Sequence, residues 1–405
     1  MARLGTIDLL SRDGTSFSGA AFTLATAPHT DALLRFEEAE IEVRNGQRDA
    51  VVRFRGTTSA LDTYQNGRSL VQQGLDLLSM LGRIDGVIVD AEDEHTLWWP
   101  EPTGLVVRLV ATTTLRFGVG PVTVEVRDPQ GNVVPPTPVV PRHHIGFRYY
   151  RLAQVTDDLY DAYRNMYLAF EVLLSSRFPK SKGERERDWL TRGLNGASAD
   201  VRIADLVAPG TLNVVGELLN RIYCDARLPL FHAKQGSPFY APQDSHENRE
   251  VVAAALIALT HIVLRMAEAW FQTRRTGGGV YFHWVYQNAA EQLLGTHMVA
   301  SADSSPFNAS ENDLTHHRFQ DGLSLASRLA PELQRGLAPA LLGLAEAADL
   351  ARLPVLRRID VASSDTPYAA LLLESELALD GVGRLEAVAH FRAMNLNQPK
   401  SLFKT

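Results

Sequence analysis

The chain has little that could cross-link it and nothing that would anchor it in a membrane. Its 405 residues include one cysteine, Cys224, which excludes an internal disulfide and any metal site built from several cysteines. There is no long uncharged apolar run, and residues 1–8 lack the apolar core of a signal peptide. These absences predict a cytoplasmic protein that does not enter a membrane.

The chain also lacks an excess of positive charge. A formal net charge of −7 argues against a protein that coats nucleic acid without specificity. The charge is unevenly distributed, because residues 146–277 contain 17 Lys plus Arg against 15 Asp plus Glu, which leaves this segment at +2. Any local attraction for phosphate is therefore expected in the middle third of the chain.

The length exceeds what one hydrophobic core usually supports, so two or three domains are expected. Residues 1–141 are predicted to form a β-rich domain with one inserted helix. Apolar and charged residues alternate in Ala39–Arg44 and again in Val52–Arg55, and Asn45-Gly46 between them favours a hairpin turn. Four prolines within Pro135–Pro141 cannot join a sheet interior and indicate a boundary.

Residues 142–277 are predicted to be a helical domain, in which apolar residues recur at three- and four-residue steps. Four helices are expected to begin near Thr156, Asp188, Leu212 and His246 and to bury their apolar faces as a bundle. Gly277-Gly278-Gly279 ends this domain, and residues 278–405 are predicted to be a mixed α/β region. The predicted fold class is α+β, with a central four-helix bundle flanked by the β-rich and mixed regions.

The residues that suggest chemistry lie at the end of the third predicted helix. Arg227 and His232 are five residues apart, and Pro229 lies between them. Because proline has no backbone N–H and biases the preceding residue away from helical angles, the helix is expected to kink or stop at Leu228. The break would free Arg227 and His232 to converge on one small target.

The spacing Arg227-x4-His232 resembles the signature of the HEPN superfamily of helical domains, an arginine followed by four to six residues and a histidine. The run from Asp225 to Lys234 is also similar to a subgroup of standalone prokaryotic HEPN proteins labelled MauJ-like or ApeA-like. The chain has Leu228 where a polar residue often follows the arginine. The resemblance implies a metal-independent endoribonuclease of antiphage defence or a toxin system, acting as a homodimer with two motifs facing each other across the helical domains.

The two residue types fit cleavage of an RNA phosphodiester by transesterification without a metal or cofactor. The 2'-hydroxyl of RNA is the nucleophile, His232 would transfer protons, and Arg227 would hold the charge that builds on the phosphoryl oxygens. A second copy across a symmetric interface would add a second histidine. As supporting residues, Asp225 is expected to orient Arg227 or His232, and Lys234 to contact a neighbouring phosphate.

Three other interpretations remain open. Arg227 could pair with Asp225 or another acid while His232 only caps a kinked helix. The helical domain could bind a nucleotide or form a dimer without catalysis, which Leu228 and the acidic net charge favour. A metal hydrolase could use the acidic segment 90–95 with the histidine pairs His143-His144 and His316-His317, but no zinc pattern such as His-Glu-x-x-His is present.

Overall fold

The fold was derived from a computed structural model of the chain. It describes residues 1–11, 18–36, 39–89, 91, 93–115, 126–127, 129–131, 133–134, 140–232, 239–241, 246–273, 297–306, 322–333, 339–363, 366–393 and 399–402. Lys234, Gly277–Gly279, His316-His317 and most of the proline segment Pro135–Pro141 lie outside these residues, as do Asp90 and Glu92 of the acidic segment.

Strands occur at both ends of the chain. In order they are β1 (Arg3–Leu4), β2 (Ile7–Asp8), β3 (Ser18–Thr23), β4 (Ala32–Phe36), β5 (Ala39–Val43), β6 (Asp49–Phe54), β7 (Glu94–Glu101), β8 (Gly104–Leu115), β9 (Val126–Arg127), β10 (Val133–Val134), β11 (His297–Ser301), β12 (Leu323–Leu329), β13 (Ala340–Glu346), β14 (Val355–Ser363), β15 (Thr366–Ala378) and β16 (Val382–Ala393).

Most of the helices lie in the middle of the chain. They are α1 (Ala60–Met80), α2 (Gly146–Val155), α3 (Leu159–Arg177), α4 (Glu186–Ala197), α5 (Val214–Leu219), a π-helix (Asn220–Arg227), α6 (Leu228–Phe231) and α7 (His246–Phe271). One further helical turn spans Ala347–Leu350, and 3-10 turns span Ala204–Leu206, Pro331–Leu333 and Lys400–Leu402.

Fourteen of the described strands form one mixed sheet, in the order β2-β1-β15-β14-β11-β12-β13-β16-β8-β7-β3-β6-β5-β4. Its described pairings are antiparallel except that of β16 with β8, which is parallel and runs from Val382 opposite Leu105 to Ala393 opposite Leu115. The predicted fold class, a central four-helix bundle flanked by a β-rich N-terminal domain and a mixed α/β C-terminal region, is therefore wrong. Local periodicity identifies strands but carries no signal that segments about 280 residues apart pair with each other.

Two hydrophobic cores lie on opposite faces of the N-terminal strands. On β3, Ala21 belongs to the core shared with the C-terminal strands, whereas its neighbours Ala20 and Phe22 belong to the core beneath α1. Such alternation is expected because successive side chains of a strand point to opposite faces. The predicted inserted helix is confirmed as α1, and the predicted hairpin is confirmed by the antiparallel pairing of β5 with β6.

The helices α2 to α7 form a second compact unit, which spans residues 118–280 with 395–404. The helix predicted to begin at Thr156 is α3, but Asp158 is its cap and accepts a hydrogen bond from the backbone N–H of Asp161 at 2.8 Å. Helix α2 precedes it and was not predicted. The apolar residues of α3 and α7 meet in one core, as the three- and four-residue spacing implied.

Within the described residues, α7 is one helix whose length and composition would allow it to cross a membrane. Its apolar residues, among them Leu256, Leu259 and Met266, are instead buried in the core of the helical unit. This burial fits a core helix of a soluble protein.

Candidate functional site

The backbone that carries Arg227 is a π-helix. The N–H of Leu228 donates to the carbonyl of Tyr223, five residues back, and Leu228 has helical angles of φ −63° and ψ −49°. The expected break at Leu228 is therefore wrong, because the chain stays helical to Phe231. The π-helix shifts the hydrogen-bond register just before Pro229, which accommodates a residue that has no N–H and whose ring crowds the preceding turn.

A further hydrogen bond reaches the π-helix from another helix. The buried hydroxyl of Tyr163 on α3 donates to the carbonyl oxygen of Ile222. Burial raises the pKa of Tyr163 well above its ordinary value, so the hydroxyl keeps the proton that it donates. Downstream, the carbonyl of Pro229 accepts a hydrogen bond from the backbone N–H of Tyr240 at 3.1 Å.

Tyr163→Phe is expected to lower the free energy of unfolding by about 1 kcal/mol, because it removes a buried hydrogen bond to the carbonyl of Ile222 while hardly changing the packing. Urea unfolding followed by circular dichroism at 222 nm measures the change. An unchanged midpoint would mean that the π-helix does not depend on this hydrogen bond.

The guanidinium of Arg227 is held by an acid and surrounded by aromatic rings. Nη2 lies 3.0 Å from Oε1 of Glu186 on α4, and the side chain is 18% exposed. The guanidinium carbon lies 5.3 Å from the ring centres of Tyr223 and Phe231 and 5.7 Å from that of Tyr167. Rings at these distances attract a cation through their faces. Nε of Arg227 is buried and has no hydrogen-bond partner among the described residues.

A second acid, Glu171 on α3, interacts electrostatically with Glu186. Burial, then the negative charge of Glu186, raises the pKa of Glu171 to about 7. The hydroxyl of Tyr167 donates to Oε1 of Glu186 at 3.4 Å. Burial, then the charge of Glu186, raises the pKa of Tyr223.

His232 stands at the other end of the motif, where α6 ends. It has non-helical angles of φ −132° and ψ 76°, and its backbone N–H donates to the carbonyl of Leu228 at 3.1 Å. The residue is exposed, and no described residue forms a hydrogen bond or ion pair with its ring. An exposed imidazole with both nitrogens open to solvent is able to exchange protons with a bound substrate.

The two supporting residues take other positions. Asp225 is exposed, and in the described part of the chain Arg227 pairs with Glu186 and not with Asp225. Lys234 lies outside the described residues. The predicted site therefore gains Glu186, Tyr167 and Tyr223, whose contacts with Arg227 sequence reasoning missed. A signal was present, since Tyr163, Tyr167 and Glu171 recur every four residues and so share one face of α3.

The described residues contain no cluster of three or more His, Cys, Asp or Glu side chains that could hold a metal ion. The adjacent histidines His143 and His144 contact aromatic rings. The ring of His144 lies 4.6 Å from that of Phe271, and its Nδ1 accepts a hydrogen bond from the backbone N–H of Gly146 at 3.2 Å. Desolvation, then the charge of His143, lower the pKa of His144. These contacts show the pair packed against the helices of this unit.

The candidate site is thus defined by Arg227, which pairs with Glu186 and is surrounded by three aromatic rings, and by the exposed His232 on the same continuous helical segment. In comparisons with known proteins, the chain matches no family model, no curated protein and no solved structure.

Proposed function

We propose that the helical unit is a metal-independent endoribonuclease of the HEPN type. His232 takes the proton from the 2'-hydroxyl or gives one to the leaving 5'-oxygen, and Arg227 stabilises the charge on the phosphoryl oxygens. The products are a 2',3'-cyclic phosphate and a 5'-hydroxyl, because the 2'-oxygen forms a bond to phosphorus as the 5'-oxygen leaves. The protein would act in the cytoplasm, in defence against phage or as a toxin.

The observation that carries this proposal is the contrast between the two motif residues. Arg227 is fixed by Glu186 and three aromatic rings. His232, five residues further along the chain, is exposed, and its side chain has no partner among the described residues. Phosphoryl transfer without a metal requires a positioned cation and a group that transfers protons, and the two motif residues are of these two types. A homodimer would bring two such pairs together and supply both a base and an acid.

A second candidate is a non-catalytic protein that binds a nucleotide or forms a dimer through the same unit. The observation that favours it is the ion pair of Arg227 with Glu186, which occupies part of the guanidinium and could serve packing alone. Phe231, which is partly exposed beside Arg227, offers a ring on which a base could stack.

The purified protein is expected to cut single-stranded RNA in EDTA and to leave 2',3'-cyclic phosphate and 5'-hydroxyl ends. The measurement is gel analysis of a labelled oligonucleotide, followed by mass spectrometry of the fragments. The matched control is the same oligonucleotide with a 2'-deoxy nucleotide at the site of cleavage, which has no nucleophile and should stay intact.

Cleavage of the deoxy control would contradict the proposed chemistry. Binding of a nucleotide in calorimetry, with no turnover of RNA by the same preparation, would favour the non-catalytic candidate. The mass of the native assembly distinguishes a dimer from a monomer in the same samples.

A further inference from the structure

We propose that Arg164 is a second phosphate-binding cation beside Arg227, so that the site takes single-stranded RNA with a further phosphate next to the scissile one. The inference rests on the proposed function, because Arg227 is the proposed ligand of the scissile phosphate. Arg164 lies on α3, outside the Arg227-x4-His232 motif, and has no part in the transfer of protons.

One aromatic ring contacts both cations. The guanidinium carbon of Arg164 lies 5.7 Å from the centre of the Phe231 ring, and that of Arg227 lies 5.3 Å from the same centre. Rings attract cations at these distances, so Phe231 holds two positive charges near each other. His232 follows Phe231 directly in the chain and is exposed. The second cation therefore lies at the same end of the helical segment as the proposed proton carrier.

The residue spacing on α3 agrees with this placement. Arg164 precedes Tyr167 by three residues, which makes the two side chains neighbours on the surface of the helix. The ring centre of Tyr167 lies 5.7 Å from the guanidinium carbon of Arg227. One side of α3 thus contacts the motif segment twice, through Tyr167 at Arg227 and through Arg164 at Phe231.

The two arginines differ in how strongly they are engaged within the protein. Arg227 is 18% exposed and pairs with Glu186 at 3.0 Å. Arg164 is 60% exposed, and its one ion pair in the described part of the chain is with the exposed Asp161, three residues before it, at 3.4 Å. An exposed pair of this kind contributes little free energy, because water and salt screen it. Arg164 is therefore able to exchange Asp161 for a phosphate.

Two cations beside one ring match a strand of RNA better than a mononucleotide. Each phosphate in a strand carries one negative charge and is a good ligand for one arginine. Because both guanidiniums lie close to the same ring, they are near enough to contact neighbouring phosphates of one strand. A single strand is favoured over a duplex, since its backbone is free to bring the 2'-oxygen in line with the scissile bond.

The first test measures binding without cleavage. The probe is a fluorescent single-stranded RNA in which every 2'-hydroxyl is methylated, and anisotropy gives its affinity at KCl concentrations between about 50 and 200 mM. The slope of log affinity against log salt is expected to be about 0.7 shallower in Arg164→Gln than in the wild type, because one phosphate contact is lost. Arg164→Lys keeps the charge and should restore the slope. Equal slopes for the wild type and Arg164→Gln, or no binding of the probe by the wild type, would overturn the proposal.

The matched control is Arg202→Gln. Arg202 is 81% exposed and pairs with Asp205, three residues after it, at 3.6 Å, so the variant removes the same charge from the same kind of ion pair. Its salt slope should equal that of the wild type. If both variants flatten the slope to the same extent, the net charge of the unit explains the result and the second phosphate site is rejected.

The second test uses the proposed reaction. The substrates are an RNA dinucleotide that contains only the scissile phosphate and the same dinucleotide with a further phosphate on its 5' or its 3' side. One of the two added phosphates is expected to raise kcat/KM of the wild type about tenfold, mainly through KM, because it binds Arg164. The gain should disappear in Arg164→Gln and persist in Arg202→Gln.

The two tests separate failure of this site from failure of the nuclease. Cleavage that gains nothing from either added phosphate, or a gain that persists in Arg164→Gln, would reject the second phosphate site and leave the nuclease intact. A shallower salt slope in Arg164→Gln, with no cleavage of any RNA by the wild type, would support the two-cation site and reject the nuclease.

Discussion

Replacement of His232 by alanine should reduce the rate of RNA cleavage in EDTA by about 10²–10⁴-fold, which is the range that a positioned general acid or base contributes. His232 is exposed in the described structure, and an imidazole is the side chain best suited to transfer protons in this reaction. Single-turnover cleavage of an end-labelled oligonucleotide gives the rate for wild type and variant under identical conditions.

The same variant should fold like the wild type. His232 is exposed, its ring has no hydrogen-bond partner among the described residues, and the backbone N–H that caps α6 is retained in alanine. The free energy of unfolding measured by urea denaturation should therefore change by less than about 0.5 kcal/mol. Cleavage by His232→Ala at the wild-type rate would reject the assignment of His232, and with it the proposed reaction.

Arg227→Lys provides the comparison for the second motif residue. Lysine keeps the positive charge but replaces a planar fork by a single ammonium group, which cannot engage Glu186 and a phosphate with the same geometry. Asp225→Asn is the matched control, since Asp225 is exposed and the described structure gives Arg227 a different acid as its partner. A loss of activity in Arg227→Lys with full activity in Asp225→Asn would show that cleavage needs the planar guanidinium of Arg227 and not only the charge of this segment.

Much of the local structure could be predicted from the sequence, because local structure depends on residues that are close together in the chain. The stripe Leu159, Tyr163, Met166, Phe170 and Leu173 predicted a helix with one buried face, and all five residues are buried in α3. The strand pair around Asn45-Gly46 was also predicted, since alternation and a turn signal suffice for a hairpin.

The environment of Arg227 could not be predicted in the same way. Tyr167, Glu186 and Arg227 come from three separate helices, and no spacing within one helix shows that their side chains meet. Pro229 was expected to end the helix, but a π-helix accommodated it, and this π-helix accepts a hydrogen bond at Ile222 from Tyr163, which lies 59 positions before Ile222. Contacts of this kind follow from tertiary packing.

The sheet presents the same difficulty on a larger scale. Residues 1–141 were expected to be a domain of their own, yet β8 lies between β7 from the same region and β16 from the far end of the chain. Both neighbours supply buried apolar side chains to one core, in which Trp98 of β7, Val107 of β8 and Leu385 of β16 take part. A strand buried on both faces and paired on both edges cannot be assigned its partners from its own sequence.

Leu385→Ala should therefore destabilise strands that lie nearly 300 residues earlier in the chain. Leu385 is fully buried and is paired with Val107 of β8 on one side and Ala345 of β13 on the other. Removal of its side chain should cost about 2–5 kcal/mol, because the cavity forms inside a closely packed core. Native-state hydrogen exchange, measured separately for peptides of β7 and β8, shows which strands lose amide protection in the variant.

Leu372→Ala is the matched control, since Leu372 on β15 is 46% exposed and its loss should change the exchange rates little. If β8 belongs to one sheet with β16, protection of β7 and β8 falls together with that of β16 in Leu385→Ala. If residues 1–141 form an independent domain, β7 and β8 keep their wild-type exchange while β13 and β16 lose protection. The single substitution thus distinguishes the shared sheet from the domain division that the proline segment suggested, because only a shared core transmits the defect between the two ends of the chain.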